Sequence, residues 1–386
     1  MRTCLSVLVL FATWTVARHL PGQEVAGGPG DQGGQLQQSA VFTAGEDAYH
    51  TYRIPSLLVT PAGTAIALAE GRRGGTSDTG NIDLVMKRST DGGKTWSKQS
   101  VVWDEGPNTC GNPCPAFDHS TGTIWLLMTH NLGKDNEAAI SAGKSKGTRT
   151  VWITHSKDEG QTWAAPRDIT SDVKDPAWGW YATGPGIGIQ ITRGTHRGRL
   201  VIPCDQKNTG RFSHVIYSDD HGKTWKQGGK TVDGCNECQV VELADGRLML
   251  NIRNADKTKQ HRQVSLSEDG GLTWSEPYRD EALIEPVCQA SILRYRWPTD
   301  TVSGEILFSN PASTRRERMM VRMSTDEGKT WPHARVLWEG PSAYSCLGRL
   351  ADGTILCLHE AGEKSPYQKI LLSRFSAEWV KESEPR

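Results

Sequence analysis

No apolar run in this chain of 386 residues matches the roughly 20 needed for a membrane-spanning helix; the nearest is the stretch from Cys4 to Ala17, which Ser and Thr interrupt. Neither sign of charge is in excess. With 44 basic and 44 acidic side chains the formal net charge is zero, so no face for nucleic acid or an anionic membrane is indicated. An apolar period of 3.6 is sustained nowhere, which excludes a helical bundle. There is no HExxH run. The close pairs Cys110/Cys114 and Cys235/Cys238 lack matched Cys or His partners at the offsets a zinc site needs. No Asn-x-Ser/Thr acceptor occurs, because the Asn-Thr at 108–109 runs into Cys110; this favours a bacterial over a secretory-pathway eukaryotic origin.

Against these absences stands an eight-residue phrase written five times. Ser89 to Trp96, Ser156 to Trp163, Ser218 to Trp225, Ser267 to Trp274 and Ser324 to Trp331 all read Ser-x-Asp-x-Gly-x-Thr-Trp. Recurrence at intervals of tens of residues marks a repeat architecture. Each copy is a hairpin turn in chemical terms. Ser and Asp accept from nearby backbone N–H groups, Gly supplies a left-handed conformation, and Thr and Trp open the next strand with Trp as an apolar anchor. Turn formation and packing account for every position, so the boxes need bind nothing.

Between the boxes lie strand-length runs rich in Val, Ile, Leu and Thr, bounded by Gly, Pro, Asn and Asp: Ile54 to Val59, Thr64 to Ala69, Ile82 to Lys87, Thr123 to Met128, Thr150 to His155, Leu200 to Pro203, His214 to Tyr217, Val240 to Leu243, Arg247 to Arg253, Ile306 to Ser309 and Thr354 to His359. Cutting after each box Trp yields units 39–96, 97–163, 164–225, 226–274, 275–331 and a remainder 332–386. Four short strands fit each. The predicted fold is all-β, a six-bladed β-propeller with four antiparallel strands per blade. Ahead of it, residues 1–22 read as an export signal, with Thr15-Val16-Ala17 as a small-residue cleavage site, and 23–38 as a Gly/Gln-rich flexible leader. An exported protein permits disulfides among the eight cysteines beyond the signal, but spacing does not set their pairing.

Polar groups cluster where strands meet loops. The first unit carries Tyr52-Arg53-Ile54-Pro55, then Glu70-Gly71-Arg72 and a turn containing Asp78. The fourth carries Asn236-Glu237-Cys238-Gln239 and Asn251-Ile252-Arg253. Arg315, Arg316 and Arg318 follow in the fifth, and Gly340 to Ser345 with His359-Glu360 in the last. With five Asp boxes and a Tyr-Arg-Ile-Pro opening, the chain resembles the exo-α-sialidases (neuraminidases) of the bacterial and lysosomal type over residues 39–375. The resemblance makes 39–386 a propeller catalytic domain acting on a sialylated glycan, with no metal or organic cofactor, no nucleic-acid partner and no membrane span. The export signal places it in a secreted, periplasmic or lysosomal-type compartment.

The resemblance also assigns roles. Sialic acid bears a carboxylate on its anomeric carbon, which guanidinium forks hold well; the family's arginine triad falls on Arg53, Arg253 and Arg316. Arg316 is chosen from its cluster because it stands six residues before Arg322, with Arg315 and Arg318 as rivals. A carboxylate nucleophile would meet that fixed anion at a cost of roughly several kcal/mol, and sialidases are a recognised tyrosine exception among glycosidases. Tyr344 matches the family nucleophile and Glu237 its base. Asp78 matches the acid/base, its pKa expected to rise as the site closes on substrate; Asp83 ranks second. Arg72 is expected to touch substrate and Glu360 to support Arg53. Hydrolysis and transfer of the sugar to another glycan both remain open at this stage.

Overall fold

The computed structural model describes residues 35–208 and 210–382; the export signal at 1–22 and all but the end of the leader lie outside them. The described chain is all-β. Its strands pair antiparallel in successive runs along the chain, hydrogen-bonded into four sheets. Thr51–Val59, Ala65–Arg72, Ile82–Ser89 and Ser100–Trp103 make the first, and Thr109–Asp118, Thr123–Asn131, Thr150–Ser156 and Arg167–Asp168 the second. The third has Trp180–Thr183 and Ile189–Gln190 side by side on Leu200–Lys207, then Arg211–Ser218 and Lys226–Lys230. The fourth runs through Cys235–Glu242, Leu248–Asn254, His261–Ser267 and Tyr278–Ile284. The long strand His333–Arg349 belongs to two runs. Its first half is the outer strand beside Glu317–Ser324, and its second half is the inner strand beside Ile355–Ala361.

The order of packing is cyclic. Thr51–Val59 packs on Thr109–Asp118, which packs on the third run. Leu200–Lys207 then meets Cys235–Glu242, which meets Ser291–Arg296, which meets His333–Arg349, which returns to Thr51–Val59. The sixth run is completed from the other end of the chain: Gln37–Thr43 pairs antiparallel with Lys369–Phe375. This corrects the unit 39–96. Those residues contribute one strand to the last run and three to the first, and in each of the five runs that carry a box the outer strand lies beyond the box rather than before it. It also claims Gln37 and Gln38 from the leader; Gln38 donates to Leu337 O and Ser373 Oγ at 2.9 and 2.8 Å. Every run named from the sequence falls within one residue of an observed strand. Three short helices, Glu137–Ser141, Thr170–Val173 and Ala377–Lys381, had no sequence counterpart.

Each Asp box sits between the third and fourth strands of its run and repeats one hydrogen-bond pattern. In the first, Asp91 Oδ1 accepts from Ser89 Oγ and from the N–H groups of Lys94 and Thr95, Thr95 Oγ1 donates to Asp91 Oδ2 at 2.6 Å, and Ser89 Oγ accepts from Gly93 N. The box tryptophans do not open strands: Trp96 and Trp163 lie in the loop that precedes one. Their side chains staple each run to the one before. Trp163 packs with Leu58, Ile66 and Met86 of the first run, Trp225 with Leu127 and Ile153 of the second, and Trp331 with Val241 and Met249 of the fourth. The box glycine lies in the same seam. At Gly222, φ is +82° and a Cβ would stand 2.1 Å from Trp125, so both backbone and space demand glycine. All eight cysteines from Cys110 onward are buried, free thiols.

Candidate active site

Four inner strands carry the same irregularity at the same end. Pairing shifts between Arg53 and Ser56, Gly111 and Cys114, Cys235 and Cys238, and Ser342 and Ser345. Each is a bulge with one extra residue, the device that re-aims side chains beside functional sites. The bulged residues include Ile54, Asn112, Glu237 and Tyr344. Two of the single residues opposite are Arg253, facing Asn236 and Glu237, and Glu360, facing Ala343 and Tyr344. A cavity of about 400 Å³ opens over these bulges and is lined by Arg53, Arg72, Asp78, Glu237, Arg253, Arg316 and Tyr344.

One buried anion sets the first corner. Glu360 is fully buried. Its Oε1 accepts from Arg53 Nε at 3.0 Å and from the N–H of Ile54 at 3.1 Å, and its Oε2 accepts from the N–H of Tyr344 at 3.0 Å. The second corner is a triangle. The Tyr344 hydroxyl donates to Glu237 Oε1 at 2.7 Å, while Arg253 Nη1 reaches Glu237 Oε2 at 2.5 Å and the Tyr344 oxygen at 3.1 Å. Burial and the Glu237 anion push the phenol well above its ordinary pKa, against the pull of Arg253, Arg316 and Arg53. The hydroxyl is therefore neutral and already bonded to a carboxylate able to take its proton.

Arg316 faces the same ring, its guanidinium carbon 5.7 Å from the Tyr344 centroid, and Nη1 donates to Tyr367 Oη at 2.8 Å. Its rivals turn elsewhere. Arg315 is 79 % exposed and paired with Glu317, and Arg318 is paired with Glu339 outside the cavity lining.

Asp78 lies on the loop between Ala65–Arg72 and Ile82–Ser89, its side chain 64 % exposed, with Oδ1 at 2.8 Å from Arg72 and 3.2 Å from Arg53. Partial burial works to raise its pKa, but the two guanidiniums prevail and hold the carboxyl below the usual range. The expected rise belongs to a site closed on substrate, where these cations would be drawn to the sugar. Asp83 is ruled out as a lining residue. It is fully buried in its strand, accepting from Tyr49 Oη at 2.5 Å and from Arg73 at 2.8 Å.

Residues 63–357 match the family model described as a BNR repeat-like domain. A sialidase of Micromonospora viridifaciens is 36 % identical over 96 % of this chain and 58 % of its own length. An exo-alpha-sialidase of Aspergillus fumigatus is 31 % identical over 86 % of this chain and 85 % of its own. The chain belongs to the sialidase family. Among solved structures, the Hadza microbial sialidase Hz136 superposes with a TM-score of 0.80 at 32 % identity, covering 89 % of this chain and 69 % of the other. The intramolecular trans-sialidase of Ruminococcus gnavus, at 22 % identity and a TM-score of 0.76, shares the fold. The chain spans 58 % and 61 % of the length of the first two bacterial relatives.

This sialidase-family chain brings together all eight residues singled out from the sequence, with Glu360 behind the wall and the others on it. Its cavity also has walls that sequence reasoning passed over. Glu70, 2 % exposed, grips Arg72 through Nε and Nη2 at 3.0 and 2.6 Å and accepts from Asn112 N at 2.9 Å. Its place two residues before Arg72 was the available signal. Arg149 is buried without a carboxylate partner among the described residues, bonded to Thr129, Asn131 and Asn112 and stacked 4.0 Å from the Trp180 ring. Tyr367 covers Arg53 at 4.3 Å. Asp205 and Arg211 close the far side; nothing in their local sequence marks any of these four.

Proposed function

We propose that this chain is a retaining exo-α-sialidase that hydrolyses terminal sialic acid from sialylated glycans through a tyrosyl-enzyme intermediate, on a closed six-bladed propeller. The cyclic order of strand packing supports the closure. The observation that carries the chemistry is the Tyr344–Glu237 hydrogen bond of 2.7 Å with Arg253 on both partners. Arg53, Arg253 and Arg316 fix the sugar carboxylate. Asp78, protonated as the sugar displaces its cations, gives its proton to the glycosidic oxygen while the Tyr344 oxygen bonds to the anomeric carbon and the phenolic proton passes to Glu237. The aglycone leaves with the Asp78 proton. A water, deprotonated by Asp78, then attacks the same carbon, and Glu237 returns its proton to the tyrosinate. Two inversions leave the configuration unchanged. The apolar run Cys4 to Ala17 supports export of the protein.

NMR of the first product formed from sialyl-lactose tests the reading. Free α-sialic acid and lactose are expected. The β-anomer first would remove the tyrosyl intermediate, and a transferred or internally cyclised sugar would replace hydrolysis with transfer.

A further inference from the structure

One carboxyl group of the cavity wall has an oxygen without a hydrogen-bond partner among the described residues. Asp205, on the strand Leu200–Lys207, lines the cavity and is 2 % exposed. Its Oδ1 is buried and meets no hydrogen-bond partner among the described residues. Leaving such an oxygen orphaned is costly and disfavours the anion, so a cavity-lining carboxyl with one oxygen orphaned points to a neutral acid within reach of a ligand.

The charges around it decide its form. Glu237 and Glu137 repel an Asp205 anion, and Arg211 and Arg253 favour one. Both cations are already committed: Arg211 lies 2.5 Å from Glu137, and Arg253 lies 2.5 Å from Glu237. Arg149 also feels Asp205, but its donors go to Thr129, Asn131 and Asn112. Beneath it, Cys204, Cys238 and Tyr181 are buried neutral groups. Burial, then Glu237, pushes the carboxyl up to about 8.

We infer that Asp205 is a specificity-determining residue that meets the substrate as a neutral acid, hydrogen-bonding an uncharged polar substituent of the sugar remote from its carboxylate. A protonated carboxyl offers one O–H donor and one carbonyl acceptor. That pair suits a hydroxyl of the polyol tail or the acylamino group, and it disfavours a second anion there. The inference rests on the sialidase reading for its ligand, though not for the protonation of Asp205.

The test uses Asp205→Ala and Asp205→Asn on the full chain. Asn is neutral at every pH and keeps a donor and an acceptor in place. Asp205→Ala should lower kcat/KM by roughly ten- to a hundredfold, with Asp205→Asn recovering most of that loss. Wild-type kcat/KM should fall as pH rises through about 8, and Asp205→Asn should lack that limb. Sialosides with a shortened polyol tail or without the N-acyl group identify the partner: its removal should cost the wild type but not Asp205→Ala. Equal damage by Asn and Ala, or a limb that persists in Asp205→Asn, overturns the inference. So does a ¹³C NMR titration of the free protein that finds Asp205 ionised in the ordinary carboxylate range. Wild-type inertness toward every sialoside, with Asp205 still holding its proton, would instead strike the functional reading and with it the sugar as ligand.

Discussion

Glu360 accepts from the backbone N–H of Tyr344 at 3.0 Å with one carboxylate oxygen and from the Arg53 guanidinium at 3.0 Å with the other. A triad cation and the phenol are thus positioned by one buried anion, drawn from the strand that pairs with Tyr344's own. The distance between the Arg53 guanidinium and Tyr344 is thus a property of the sheet and not of two independent side chains.

Removing that anion should damage folding and rate together. Glu360→Ala leaves Arg53 buried, with the exposed Asp78 as its one remaining carboxylate partner among the described residues. Breaking a buried pair on one side costs about 3–5 kcal/mol, and chemical denaturation should show a loss of that size. At temperatures where the variant is folded, kcat/KM should also drop. A variant of wild-type stability and rate would mean Glu360 holds nothing that matters.

Tyr344→Phe separates binding from chemistry. Phe keeps the ring under the guanidiniums of Arg53 and Arg316 and the ion pair between Glu237 and Arg253, but deletes the attacking oxygen. Turnover of an aryl sialoside should fall by roughly three orders of magnitude or more, as when a nucleophile is removed elsewhere. Affinity for a sialic acid analogue, measured by calorimetry, should stay within about tenfold, since the arginines that supply it remain. Turnover near the wild-type rate would transfer the nucleophile's role to another group.

Asp78→Ala should be sensitive to the leaving group. General acid catalysis contributes roughly 10²–10⁴-fold when the departing oxygen is basic. Sialyl-lactose hydrolysis should lose a factor in that range, while an aryl sialoside whose phenol leaves without a proton should lose much less. Equal losses on both substrates would show that Asp78 acts by holding Arg53 and Arg72, the two cations it already touches, and not by moving a proton.

What could be read from the sequence was local, and what could not was cross-strand. The five boxes were legible because every bond of the turn lies within eight residues. The site residues stood out through short motifs at strand ends. The bulges that aim them were not legible, because a bulge exists only relative to a partner strand, and Pro55 and Pro113 gave no sign of register. The strand Gln37–Thr43 was not legible, and 39–43 fell in the first unit, because its partner lies more than 300 residues away. Glu70, Arg149, Asp205 and Tyr367 needed the topology before they could be seen facing one cavity. The box tryptophan was expected to begin a strand because its β-propensity was weighed without the neighbouring run against which it packs.

The boxes make a last prediction, about acid. Asp158 is held down to about 2, chiefly by the hydroxyl of Thr162 and then by its N–H. An unfolded aspartate titrates near ~3.9, so the folded pKa is the lower one. The stabilisation is complete above the unfolded value and is lost as pH falls from about 4 through about 2. Asp158→Asn keeps one acceptor oxygen but removes the charge and the second oxygen, to which the Thr162 hydroxyl or N–H donates. Its melting temperature should lie below that of the wild type at pH 7, and the gap should close as pH is lowered through this window. A gap of constant size down to pH 2 would show that Asp158 acts through shape and that its ionisation contributes nothing to the turn.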